Sequence, residues 1–305
     1  MTSHHFMGSI KKYTDKLYLK QWGLGYLKAS IADIIREKKT RLSFHWLPMN
    51  NTHTSWADPF IFKGSGNRIN ILFESVSTVK LNGNISLLVC DNDMNIESEK
   101  LILDNGHHLS YPFIFEEEGK MYLIPENAFS GGLYAYQYDP QTGELSQKTE
   151  LLPYKVIDPT ILKADNKYWL FCTMLGDNLN RDLHIFYADS LMGPYKPHTG
   201  NPVRSDLVGS RPAGKFIVVD GIIYRPAQNC TNYYGESITI NRINLLTTTR
   251  FEEEAYMTIE PNPGDEFNYG IHTINAVDDL IIVDGQKIHF QPVRQLGRRI
   301  MKMFN

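Results

Sequence analysis

The apolar residues of this chain fall in short runs, roughly four to eight long, each closed by Gly, Asp, Asn or Pro, which is the punctuation of strands and tight turns. One arrangement recurs. "DPFIFKGSGNRINILFE" from Asp58, "YPFIFEEEGKMYLIPE" from Tyr111, "DPTILKADNKYWLFCT" from Asp158 and "RPAGKFIVVDGIIYRPAQ" from Arg211 each read as strand, turn, strand. A weaker copy, "HTINAVDDLIIVDGQ", begins at His272. The first four openings stand 53, 47 and 53 residues apart, and the fifth follows after 61. A period near fifty with about four strands per unit is what propeller blades need. Third strands follow in "GNISLLVCD", "GGLYAYQYD" and "RDLHIFYADS", and outer strands in "KLILD" and "TELLP". The pattern predicts an all-β, five-bladed β-propeller over 51–292. A β-sandwich is the competing arrangement, and Pro residues at the equivalent positions 59, 112, 159 and 212 favour the propeller.

The flanks break the β pattern. Leu27, Ile31, Ile34 and Ile35 recur at helical spacing, so a helix is expected over 26–38. It belongs to an N-terminal cap, 11–50, part helix and part strand, that closes the ring. Residues 1–10 hold no apolar signal core and are set aside as a disordered or added start. In the tail, 293–305, Leu296, Ile300 and Met303 share a face, while Arg294, Arg298, Arg299 and Lys302 add charge. Residues 294–304 are a candidate for peripheral contact with an anionic membrane; a docked terminal helix is the alternative.

Composition agrees with this picture. At 305 residues and 42% hydrophobic, the chain has apolar mass enough for a large core without metals or disulfides. A net charge of -3, with no long like-charge run, argues against a nucleic-acid partner. Cys90, Cys172 and Cys230 lie far apart, which suits a reducing compartment and gives no zinc spacing. No apolar run is long enough to span a membrane. The expected location is the cytoplasm, at or near the inner membrane surface.

The chemistry lies in the phase of the repeat. The first strand of a blade lines the central channel and the second runs back to the same face, so both ends of each inner hairpin meet in one funnel. The openings are Asp58, Tyr111, Asp158, Arg211 and His272; the returns are Glu74, Glu126, Thr173, Gln228 and Gln286. A merely structural core would not gather such a set, because buried charge is costly unless paired. Proline after each Asp stiffens the strand start and aims the carboxylate. Asp-Pro is also a common turn pair, which is the plainer reading of either site alone. Two convergent carboxylates suit glycosyl chemistry, one acting at the anomeric carbon and one as acid at the leaving oxygen. Trp56, Tyr111, Trp169 and His108 are candidate flat faces or donors for a sugar. There is no phosphate-cradling Gly loop and no Ser-His nucleophile motif. No cofactor is required, no metal ligand is assigned, and a metal ion in the channel is left open.

"ADPF", "IDP" and the five-unit pattern resemble the five-bladed propellers of glycoside hydrolase family 43 and the β-fructosidases. That resemblance implies a general base at Asp58 and an orienting, pKa-tuning role at Asp158. More closely, "WADPFIF", "HLSYPFIFEEEGKMYLIPE", "VIDPTILKADNKYWLF", "MGPYKPHTGNP" and "SRPAGKFIVVDGIIYRPAQNCTNYYG" are similar to the propeller domain of glucosamine inositolphosphorylceramide transferases. Stand-alone bacterial relatives of that domain imply a place in surface-polysaccharide synthesis. The hydrolases carry Glu-Gly-Pro as the acid of blade four, where this chain has "GSRPAG". Arg211 in that slot suits a phosphate or carboxylate.

The leading expectation is thus glycosyl transfer from an activated, phosphate-bearing donor, nucleotide- or lipid-linked, in polysaccharide or glycolipid synthesis. Asp58, Asp158 and Glu126 are the catalytic candidates. Trp56, Glu74, His108, Tyr111, Arg211, Gln228 and His272 are the substrate-binding ones, with Arg211 and His272 holding an anionic group. A furanosidase-like glycoside hydrolase with a relocated acid, at Glu126 or Glu74, is the second expectation. A non-catalytic glycan-binding propeller is the third.

Overall fold

The computed structural model describes residues 18–49, 54–77 and 82–290. The N-terminal start and the basic tail, including the expected membrane contact at 294–304, lie outside the described residues.

Five antiparallel sheets make up the molecule, as the repeat predicts. Blade one is β3 (Thr54–Lys63), β4 (Ile69–Ser77), β5 (Gly83–Cys90) and β6 (Ile96–Leu103). Blade two is β7 (Ser110–Glu117), β8 (Lys120–Glu126), β9 (Leu133–Tyr138) and β10 (Leu145–Leu152). Blade three runs β11 (Val156–Ala164), β12 (Lys167–Met174), β13 (Asp182–Ala188), with the short β14 (Lys196–Pro197) and β15 (Arg204–Ser205) both on β13. Blade four is β16 (Ile217–Val219), β17 (Ile222–Asn229), β18 (Ser237–Leu246) and β19 (Phe251–Ile259).

Blade five is assembled from both ends of the fold. Its inner strands are β20 (Ile274–Val277) and β21 (Leu280–Phe290), and its outer ones are β1 (Tyr18–Lys28) and β2 (His45–Trp46). β1 pairs with β21 without a break from Tyr18↔Phe290 to Lys28↔Leu280. That pairing corrects the expected helix over 26–38: Leu27 belongs to β1, and the helix, α1, spans only Ile31–Glu37. Ser30 caps it by accepting the Asp33 N–H, and Lys38 ends it in a left-handed conformation.

Packing explains the near-continuous apolar runs. Each blade is sandwiched between two others, so inner strands such as β11 are buried on both faces, whereas outer strands such as β6 are mostly exposed. Phe60, Tyr111, Phe113 and Leu170 fill the space among blades one to three. Ile34 and Ile35 of α1 join Ile238, Ile259 and Ile281 across blades four and five. No helix among the described residues is long and apolar enough to cross a membrane.

Candidate active site

The three X-Pro openings share an unusual backbone. Asp58, Tyr111 and Asp158 take φ of 52°, 44° and 50°, in the left-handed region, although a residue before proline prefers an extended conformation. Each coincides with a β-bulge, where pairing slips between Ala57 and Phe60, Ser110 and Pro112, and Ile157 and Thr160. A bulge leaves an unpaired N–H. Here each one donates to a carboxylate of the preceding blade: Asp58 to Asp284 (2.8 Å), Tyr111 to Asp58 (3.2 Å) and Asp158 to Glu126 (3.2 Å). The acids at the channel mouth therefore lock blade to blade as well as forming a site.

Asp158 is pinned by a guanidinium and an amide. Its Oδ2 accepts from Arg211 Nε (2.5 Å) and Gln228 Nε2 (2.8 Å), and its Oδ1 from Arg211 Nη2 (3.4 Å). Arg211 Nη1 donates to Asn180, and the guanidinium lies 4.8 Å from the Tyr234 ring centre. Asp58 has different company. Its Oδ1 accepts from Thr273 Oγ1 (2.8 Å) and lies 3.3 Å from His272 Nε2. The other edge of His272, Nδ1, is 2.8 Å from Asp284 Oδ2. Burial pulls the His272 pKa down, but the charges of Asp284 and Asp58 carry it well above its ordinary value. Burial likewise pushes Asp58 up, and the His272 charge with the bonds from His272 and Thr273 outweighs it, leaving Asp58 below the ordinary carboxylate value.

The two glutamates go the other way. Burial, then the charges of Asp58 and Glu126, push Glu74 well above the usual range. Burial, then the charge of Asp158, does the same to Glu126. Four of the five return positions also hold a buried oxygen with no aligned hydrogen-bond partner among the described residues: Glu74 Oε1, Thr173 Oγ1, Gln228 Oε1 and Gln286 Oε1. Buried polar atoms are normally satisfied, so a ring of unsatisfied ones marks a place for hydroxyl donors.

The expected residues separate into two groups. Asp58, Glu74, Glu126, Asp158, Arg211, Gln228 and His272 are all buried around the funnel, and His108 reaches Glu74. Three aromatic candidates face elsewhere. Trp56 packs edge-on to Phe73 within the core between blades one and five, and Trp169 lies in the core of blades three and four. Tyr111 is fully buried, with its hydroxyl on Thr160 and on the Gly214 N–H. All three stand in strands that are buried on both faces, so sequence pattern alone does not distinguish mouth from core. The expected anion holders, Arg211 and His272, are both already paired with carboxylates.

Sequence reasoning missed Thr273, Asp284, Asn180, Trp22 and Tyr234. The Trp22 ring lies 4.1 Å from His272 and the Tyr234 ring 5.1 Å. Gly235, at φ 71°, lets them close: a Cβ there would stand 2.7 Å from Trp22. Two signals were available, the Tyr-Tyr-Gly after Cys230 and the acid two residues before the last return. Asp58, His272 and Asp284 each offer a ligand atom, all within 4.8 Å of one another, and are the set among the described residues with the spacing to hold a metal ion. The raised pKa of His272 favours a proton between the two carboxylates.

Residues 48–274 match the protein family described as glucosamine inositolphosphorylceramide transferase 1, N-terminal. The chain belongs to this family. It is 32% identical over 203 residues to glucosamine inositolphosphorylceramide transferase 1 of Oryza sativa subsp. japonica, covering 65% of this chain and 27% of that protein. With its Arabidopsis thaliana counterpart it is 29% identical over 249 residues, covering 76% and 32%. The chain thus spans about a third or less of these relatives' length. In fold it is similar to a thermostable family-43 glycoside hydrolase (TM-score 0.52, 16% identity, 70% of this chain and 78% of that one). It is similar also to the exo-β-1,3-galactanase 1,3Gal43A of Clostridium thermocellum (TM-score 0.55, 12% identity, 72% and 57%). The five-bladed propeller fold is therefore one that the chain shares with these family-43 glycoside hydrolases.

Proposed function

We propose that the funnel is a glycosyl-processing centre working by acid–base catalysis, which moves a sugar from a donor to an acceptor hydroxyl. The observation that carries this reading is the opposite tuning of carboxyls in one buried site: Asp58 is held below the ordinary carboxylate range, and Glu74 and Glu126 are pushed well above it. Groups whose environments push their pKa values apart are the natural base and acid of such a pair. Asp58 takes the proton of the attacking hydroxyl; Asp158, pinned by Arg211 and Gln228, fixes the geometry of the mouth. With Arg211 and His272 both paired inside, an uncharged sugar enters the funnel, and its leaving oxygen is one that accepts a proton. This favours a glycoside donor over the phosphate-bearing donor expected from Arg211.

The relatives' names support transfer over hydrolysis, and hydrolysis is the same step with water as acceptor. The ceramide in those names also supports a glycolipid setting with a lipid-linked partner; surface-polysaccharide synthesis and contact with the inner membrane surface through 294–304 are further parts of the proposal and rest on the sequence alone. Because the chain spans only about a third of the plant proteins, a second reading has its own support: a glycan-binding propeller that serves a catalytic part elsewhere.

The test is a screen of glycosides and nucleotide sugars, with and without acceptor alcohols, on wild type and Asp58→Asn. Turnover that falls on the order of 10³-fold in the variant, with sugar binding retained, is the expected outcome. Saturable binding without turnover in the wild type would replace the catalytic reading by the binding one.

A further inference from the structure

The two buried glutamates are not equivalent. Glu126 holds the bulge of blade three, its Oε2 accepting the Asp158 N–H. Glu74 has no such duty. It pairs across β3 and β4 with Ala57, the residue before Asp58, so base and glutamate share one blade. It is 7% exposed, and its Oε1 has no aligned donor among the described residues.

What approaches that oxygen is His108, whose Nε2 stands 3.2 Å away. The Gly83 N–H donates to His108 Nδ1 (3.0 Å), which turns the Nε2 edge toward the glutamate. Burial lowers the His108 pKa, which favours the neutral ring, and with Nδ1 accepting from Gly83 the proton of that ring is on Nε2. Gly83 is needed for this closeness, since a Cβ there would lie 2.3 Å from Glu74 Oε1 and 2.6 Å from the Leu109 carbonyl. The far side of His108 is open. It lines a pocket of about 530 Å³ with Asn82, Gly106, His107 and Phe129. Phe129 is 56% exposed and meets the His108 ring edge-on at 6.0 Å. An exposed ring beside an amide and two imidazoles, next to a buried carboxyl, is a place for a sugar ring.

Resting on the glycosyl reading above, we propose that Glu74 is the proton donor, that His108 is its positioning residue, and that the Phe129 pocket receives the departing group, a neutral sugar residue. As the bond from the anomeric carbon to the leaving oxygen breaks, the Glu74 proton passes to that oxygen. The acceptor oxygen bonds to the anomeric carbon and its proton goes to Asp58. Both carboxyls then regain their starting states by exchange with water.

The experiment compares methyl and p-nitrophenyl glycosides, and matched disaccharides, on the full chain. Proton donation is worth roughly 10²- to 10⁴-fold, and only where the leaving group needs it. In Glu74→Gln, turnover of methyl glycosides falls by about 10²-fold or more, while turnover of p-nitrophenyl glycosides, whose leaving group needs little help, falls far less. Phe129→Ala raises KM for disaccharides about tenfold, more than it lowers kcat, and weakens disaccharide binding in direct titration. His108→Ala shifts the alkaline limb of kcat/KM, and His108→Gln restores part of it. The charged groups that also face Glu74 are Asp58, Glu126, His272 and Asp158, so the limb is read as a difference from wild type. The leaving-group split appearing in Glu126→Gln and not in Glu74→Gln overturns the proposal and leaves the glycosyl reading intact. A wild type that turns over none of the probes overturns both. Should Glu74→Gln not fold, a steep dependence of wild-type rate on leaving-group pKa rejects proton donation by itself.

Discussion

Asp58 and Asp158 begin from the same local design: aspartate before proline, left-handed φ, a bulge, an inner strand start. Their surroundings then part. Asp158 accepts three hydrogen bonds, two from the Arg211 guanidinium and one from the Gln228 amide. Asp58 meets a hydroxyl, a backbone N–H and one edge of a histidine that it shares with Asp284. Identical short motifs thus carry different tasks, and what separates them is contributed by other blades. A carboxylate pinned by a guanidinium fork and an amide orients its neighbours; one that faces a hydroxyl and a shared histidine is the one placed to take a proton.

The sharpest break of that contrast is Asp158→Ala. It leaves the Arg211 guanidinium, 9% exposed, without its counter-charge. Removing one partner of a buried ion pair costs about 3–5 kcal/mol, read here as a loss of unfolding free energy in urea. Adding Arg211→Met recovers a large part, because the stranded charge is then gone. Asp58→Ala costs less, since His272 keeps Asp284 at 2.8 Å. Equal losses for the two aspartates would erase the distinction between a pinned and a working carboxylate.

How far the chain reveals this depends on what the repeat carries. The charged openings Asp58, Asp158, Arg211 and His272 and their returns were legible because each blade repeats the same phase, whereas Tyr111 shares that phase and turns its ring into the core. Trp22 was not legible, because it reaches the funnel through a pairing with Gln286 from the other end of the fold. Asp284 was hidden inside the weakest repeat, where an acid between Val283 and Gly285 looks like a turn residue. The fate of Arg211 also lay beyond pattern: a phosphate and an aspartate suit a guanidinium equally well, and only the position of Asp158 decides. Trp56 and Trp169 show the limit for aromatics, since a strand buried on both faces gives no alternation to separate core from mouth.

A smaller effect comes from the histidine. His272→Gln removes a cation between two buried carboxylates, and contacts to charged groups of this kind are worth about 2 kcal/mol. The sign of its pH dependence follows from a folded-state pKa raised above the unfolded value of roughly 6.5. The stabilisation is fully present below that unfolded value and is lost as pH rises through the folded one. Glu74 and Glu126, also raised, lose stability as pH climbs from the ordinary glutamate range. The difference between wild-type and variant stability curves therefore reports His272 together with the carboxyls it biases, Asp58 first, and it narrows toward alkaline pH. A difference that widens there would place the proton elsewhere.

The smallest change tunes Asp58 alone. Thr273→Val keeps shape and removes the hydroxyl that donates to Asp58 Oδ1 at 2.8 Å. A hydrogen bond to a carboxylate contributes about 1.5 kcal/mol, and its loss favours the protonated acid. Asp58 has a folded-state pKa below the ordinary value, so its contribution to stability is present above the unfolded pKa and is lost as pH falls through the folded one. Without Thr273 that loss begins at a higher pH, and so does the acid limb of any turnover that needs Asp58 as base. The same limb stays in place in Gln228→Met, which removes a donor from Asp158 instead. An acid limb that moves equally in both variants would mean that the two aspartates titrate as one unit, and the division between base and orienter would have to be abandoned.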